Sequence, residues 1–195
     1  MGLVYVVLGL AGFAIHGYPA TRPSDSELSG WIASTDLNRF AAGVYLEALA
    51  YVLFIPFIAW LYAMLRAADS ASRWLAAIVL AAGAGFVILT LPINEQWLGM
   101  LEQAKKGLDI RASATVAFSN QASFEMTSII FGLFFLSTGL AILRTGAMSR
   151  WAGWAAVLLG VVGMLPIIGT AAQFVGILWI LPVSIYYTVR PRPTV

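Results

Sequence analysis

Three observations predict an all-α protein, a polytopic bundle of transmembrane helices. Hydrophobic residues make up 61% of the 195-residue chain and charged residues 10%, and the mean hydropathy is +0.87. A soluble domain carries roughly 45–50% apolar and about 25% charged residues, so these charges are too few to coat a surface facing water. The apolar residues fall into runs of about the 20 that a helix needs to cross the hydrocarbon core. The basic residues gather in the short segments between those runs. No polar stretch is long enough to build a separate soluble domain, so residues 1–195 are expected to form a single transmembrane helical-bundle domain. Disorder is excluded, because it needs low hydrophobicity and high charge.

The first apolar run extends from Gly2 to about Tyr18. It lacks the basic leader of a signal peptide, and Gly17-Tyr18-Pro19-Ala20 is a poor cleavage site, so it reads as a retained span. The segment from Thr21 to Asn38 is polar. Within it Ser24 and Glu27 have capping-box spacing and open a short helix that would set Trp31 and Ile32 among the lipid headgroups. The second span covers about Arg39 to Leu65 and should kink at Pro56. After the loop Arg66–Arg73, the third span starts near Trp74 and reaches Leu91-Pro92. The apolar spacing of Leu98, Leu101 and Ala104 continues it as an amphipathic helix to Gly107, with Lys105 and Lys106 complementing the dipole of its last turn. A polar helical stretch, Asp109 to Ser128, leads into the fourth span, Ile129–Leu143. A tight loop with Gly146 follows. The fifth span runs from Trp151 to about Ile168 and the sixth from Thr170 to Val189, joined by a turn near Pro166 and Gly169.

The positive-inside rule orients these spans. Arg66, Arg73, Arg144, Arg150, Arg190 and Arg192 all fall on one side, with Asp69 as the only acid there. The expectation is a multi-pass protein of the cell membrane with six spans and both termini in the cytoplasm.

Four stretches carry a likeness to a known family. They are Leu61-Tyr62-Ala63-Met64-Leu65-Arg66, the turn from Arg144-Thr145-Gly146 through Trp154, the Gly160–Gly163 stretch, and the apolar last span with Trp179. In this order they resemble the bacterial six-span integral membrane family known only as domain of unknown function 4386. The resemblance implies the architecture. It implies no activity and no site residues.

Function is less legible than fold. The absence of cysteine excludes thiol catalysis, disulfides and thiolate metal sites, and the single histidine, His16, excludes any site that needs two. Lys105-Lys106 is the only adjacent basic pair, so no nucleic-acid partner is expected. What remains is polar side chains inside spans, which are costly and usually face the bundle interior. On the first span Tyr5, Gly9, Gly12 and His16 share a stripe, and on the second Gly43, Glu47, Ala50 and Tyr51 share a face. Glu47 lies two turns beyond Arg39, or roughly 12 Å at 1.5 Å per residue. Glycine permits close helix approach in membranes, so His16 and Glu47 are expected to meet.

The candidate ligand-binding set is His16, Glu47, Glu95, Glu125, Asn94 and Gln173, lining an outward-facing polar pocket. It would take a small molecule, a lipid or a divalent cation, with His16, Glu47 and Glu125 as the candidate metal ligands. No cofactor is indicated, and no catalytic set stands out. Two alternatives stay open. One is a structural or accessory subunit whose polar network serves packing only. The other is a membrane-embedded metal-dependent hydrolase, which usually needs three protein ligands and an open water position. A binding or accessory role is preferred over an enzyme. The small-residue stripe Ala152, Ala156 and Gly160 is a packing face, with homo-oligomer formation as its other use.

Overall fold

The computed structural model describes residues 2–19, 23–107, 109–165 and 168–189. Among these residues there are seven α-helices and no strand: α1 (Gly2–His16), α2 (Asp25–Ser34), α3 (Leu37–Ala68), α4 (Arg73–Lys105), α5 (Ile110–Thr145), α6 (Arg150–Gly163) and α7 (Ile168–Val189). The tail from Arg190, used above for orientation, lies outside the described residues.

Three helices, α3, α4 and α5, are long and apolar enough to cross a membrane, whereas α1, α6 and the Ala171–Tyr186 part of α7 are shorter apolar helices. The 32 residues of α3 extend about 48 Å, beyond the roughly 30 Å of a hydrocarbon core. As the apolar spacing predicts, α4 continues through Leu98, Leu101 and Ala104 as one helix. The polar half of the fourth span is likewise continuous with the apolar half in α5. Pro56, Pro92 and Pro182 sit inside unbroken helices.

Helix ends follow local chemistry. Ser24 caps α2, and its backbone N–H and hydroxyl both donate to Glu27 Oε2 at 2.8 Å, which completes the capping box. These bonds favour the ionised carboxyl and hold Glu27 below the ordinary carboxylate range. Between α3 and α4, Asp69 accepts from Ser72 Oγ at 2.6 Å and from the Ala71 N–H at 3.0 Å. Its carboxyl is lowered for the same reason. Gly146 ends α5 at φ +66°, a left-handed conformation that favours glycine, and its N–H donates to the Ile142 carbonyl at 2.9 Å.

The fifth span is shorter than its apolar run. Helix α6 stops at Gly163, where the Met164 N–H closes the last turn on the Gly160 carbonyl at 3.2 Å. Gly169 lies inside α7 and not in the connecting turn, and Pro166 is outside the described residues.

Two apolar cores form. The larger joins the rings of Phe54, Phe86, Phe131, Phe134 and Phe135 to apolar residues of α1, α4, α6 and α7. The smaller contains Leu28, Ile32, Phe40, Trp97 and Leu101. This second core corrects the headgroup placement of Trp31 and Ile32. Leu28 and Ile32 share the face of α2 that turns inward, so both are buried. The Trp31 ring packs across Phe40 at 5.6 Å and Trp97 at 6.1 Å. Helix α2 therefore folds over one end of the bundle.

Large apolar side chains also cover the exterior, among them Val52, Ile55, Ile88, Leu89, Leu158 and Leu178. The stripe Ala152, Ala156 and Gly160 is buried within the chain. Gly160 lies directly against the backbone of Leu136 on α5, and Gly139 of α5 faces Gly153 and Val157. Since α5 already covers it, the stripe is not an open face for a second copy.

Candidate functional site

The site begins where α1 crosses α3. A Cβ on Gly12 would lie 2.7 Å from the Gly43 carbonyl oxygen and 2.7 Å from Glu47 Cγ. A Cβ on Gly43 would lie 2.7 Å from His16 Cβ. Only paired glycines allow backbones this close. The approach places His16 Nε2 3.3 Å from Glu47 Oε1, with both residues buried. The contact is an ion-pair distance without hydrogen-bond alignment, and neither ring nitrogen of His16 has a hydrogen-bond partner among the described residues.

The second carboxylate oxygen is held by two donors. Tyr18 Oη donates to Glu47 Oε2 at 3.0 Å, and Asn94 Nδ2 donates to the same oxygen at 3.1 Å. Tyr18 Oη is also 3.1 Å from Asn94 Oδ1, so its single proton chooses between two acceptors. Tyr18 reaches this position because Gly17, at φ +59°, reverses the chain after α1. The phenol then packs against His16 at 4.4 Å and Trp97 at 5.7 Å.

Glu47 forms part of the wall of a cavity of about 260 Å³. Helix α1 contributes Tyr5, Gly9 and Phe13, and α3 contributes Glu47, Ala50 and Tyr51. From α4 come Phe86, Asn94 and Trp97, from α5 Gln121, Phe124 and Phe131, and from α7 Gln173, Phe174 and Ile177. Tyr18 lines it as well. Gln173 is buried, and its Nε2 has no partner among the described residues.

Of the residues singled out in the sequence, Glu47, Asn94 and Gln173 line the cavity, and His16 stands against Glu47. Glu95 and Glu125 are not among the lining residues. Glu95 is one residue beyond Asn94, about 100° around the helix, and is exposed. On α5 the lining places go to Gln121 and Phe124, and Glu125 is half-buried beside them. Among the described residues no three His, Asp or Glu side chains converge on a possible metal ion. The set His16, Glu47 and Glu125 is therefore not assembled as metal ligands. Sequence reasoning missed Tyr18 and Trp97. A tyrosine directly after a helix-ending glycine was the available signal for the first.

Comparison with family models, with curated proteins and with solved structures finds no match to this chain.

Proposed function

We propose that this is a multi-pass protein of the cell membrane that binds a small molecule in the cavity beside Glu47. The observation that carries this is the cavity itself, about 260 Å³ walled by aromatic rings with one carboxylate and three carboxamides on its surface. Ligand sites have this composition, mostly apolar with a few placed polar groups. The unpartnered Gln173 nitrogen favours binding over a network that serves packing alone, which would pair its buried donors. A metal-dependent hydrolase lacks support, since among the described residues no three His, Asp or Glu side chains converge.

The topology proposed with it is six spans, α1 and α3 to α7, with both termini cytoplasmic and α2 covering the outer end. Arg66, Arg73, Arg144 and Arg150 support it, because all lie at the end of the bundle away from α2. The 15 residues of α1 and the 14 of α6 reach about 22 Å and 21 Å, short enough to require local thinning of the bilayer. A reporter fused to the C-terminus should be active only in the cytoplasm, and activity outside would overturn the orientation.

Binding is tested by filling the cavity. Gly9 lies on its wall, and a Cβ there meets only Ala50 Cβ, at an ordinary 3.8 Å. Gly9→Leu should therefore fold normally and displace any small molecule that copurifies, as read by native mass spectrometry. The same copurifying mass on the folded variant would contradict a ligand in this cavity.

A further inference from the structure

We infer that the ligand is an amphiphilic organic monocation, an alkyl- or arylammonium, with its charged head beside Glu47 and access from the lipid between α1 and α7. This rests on the binding role proposed above.

Charge decides the class. Among the described residues Glu47 is the only acid on the cavity wall, and no lysine or arginine lines it. An anionic ligand would face this carboxylate across a medium of low dielectric, which penalises it strongly, since the one cationisable neighbour, His16, stands against Oε1 behind the wall and does not line the cavity. A hard divalent ion needs several oxygen ligands and more than one negative charge to leave water. A single carboxylate matches a single positive charge. The rings supply the other half of an ammonium site, because a cation within about 6 Å of an aromatic face is attracted by its quadrupole. Tyr18, Trp97, Tyr51 and Phe86 line the same cavity as Glu47, and Tyr18 is bonded to its carboxylate. The Tyr18 ring is tilted against Trp97 at 5.7 Å and Tyr51 meets Phe86 edge to face at 5.8 Å, so each pair of rings is held by its partner. The buried Gln173 Nε2, still without a partner, has a donor left for an oxygen on the body of the ligand.

Size and access point to the lipid side. The volume of about 260 Å³ is at the small end of ligand sites and holds a head and a few carbons, not a whole lipid. Leu10, Phe13 and Phe174 line the cavity and yet are 45%, 40% and 39% exposed on the outside of the bundle. The wall there is one side chain thick. Phe13 and Phe174 meet edge to face at 5.1 Å and close the seam between α1 and α7. The opposite approach is obstructed, because Trp31 of α2 lies on Trp97. A rotation of Phe174 would open the seam to the apolar part of an amphiphile.

The test uses the purified full-length chain in maltoside micelles, titrated calorimetrically with three probes of one shape. Benzyltrimethylammonium is cationic, neopentylbenzene is its neutral isostere, and phenylmethanesulfonate is anionic. The cation should bind at least tenfold more tightly than the neutral probe, and the anion should not bind. Glu47→Gln should abolish that preference. Tyr51→Leu, which keeps the carboxylate, should weaken the cation at least threefold and leave the neutral probe unchanged, so the assignment stays testable if Glu47→Gln folds poorly. Phe174→Ala should speed association of the cation at least threefold. A neutral probe that binds wild type as well as the cation does would overturn the ammonium assignment and leave the cavity as a binding site. Failure of all three probes on wild type, with Gly9→Leu copurifying the same masses, would overturn both. An unchanged association rate in Phe174→Ala would overturn access between α1 and α7.

Discussion

Glu47→Ala should destabilise the folded protein by about 2–6 kcal/mol, because it removes the shared acceptor of two buried donors, each costing about 1–3 kcal/mol when left unmet. The loss has identifiable parts. Tyr18 Oη and Asn94 Nδ2 both donate to Glu47 Oε2, and both would be left pointing into a truncated space. A buried donor without an acceptor costs about 1–3 kcal/mol. His16, already without a hydrogen-bond partner, would also lose its charged neighbour at 3.3 Å. Glu47→Gln should cost much less, since its carbonyl oxygen can accept from Tyr18 or Asn94 in the same place. Thermal or denaturant unfolding in micelles separates the two variants. Equal melting of Glu47→Ala and wild type would show that the carboxylate does not hold this end of the bundle together.

Gly12→Val should be of similar severity, and for a steric reason. Its added atoms would run into the Gly43 carbonyl, the Glu47 backbone N–H and Glu47 Cγ, all within 3.0 Å of the first carbon alone. Two of these are backbone atoms of α3, which cannot rotate away. Helix α1 must then shift off α3, which breaks the His16–Glu47 contact and moves the Gly17–Tyr18 turn. The expected cost is at least about 3 kcal/mol, the upper part of the usual overpacking range. Gly9→Ala, one turn earlier on the same stripe, is the control. Its Cβ meets Ala50 Cβ at 3.8 Å, so it should be neutral or gain up to about 1 kcal/mol of helix propensity. A Gly12→Val protein as stable as Gly9→Ala would mean that α1 and α3 are not held at this crossing.

What the sequence made legible was governed by period and by residue size. The 3.6-residue stripes placed His16 and Glu47 face to face, because glycines on both stripes left no other packing partner for them. Continuous apolar spacing extended α4 past Pro92. The same reasoning failed where position depended on rotation by one residue or on a segment outside a helix. Asn94 and Glu95 are adjacent in sequence, yet only Asn94 lines the cavity. Tyr18 is placed by a left-handed Gly17, and no periodicity describes such a reversal. Trp31 and Ile32 have headgroup chemistry in isolation, but the inward face of α2 gives them a core to join. The Ala152 stripe was correctly a packing face, but whether its partner is α5 or another chain depends on a hairpin turn. Gly146 makes that turn tight enough for α6 to fold back on α5.

That hairpin bears on how the chain enters the membrane. Helix α6 has 14 residues, and its first turn carries Arg150, so alone it is a weak insertion signal. The 36-residue α5 precedes it and is long and apolar enough to cross a membrane on its own. The glycine contacts from Gly132 to Gly163 and from Gly139 to Gly153 then offer α6 a ready-made groove one tight turn later. In the six-span topology proposed above, membrane integration of α6 therefore depends on α5 having gone in first. In that topology the two helices would enter as one unit, and a ribosome halted between Thr145 and Gly163 would expose a segment with no stable place of its own in either lipid or water.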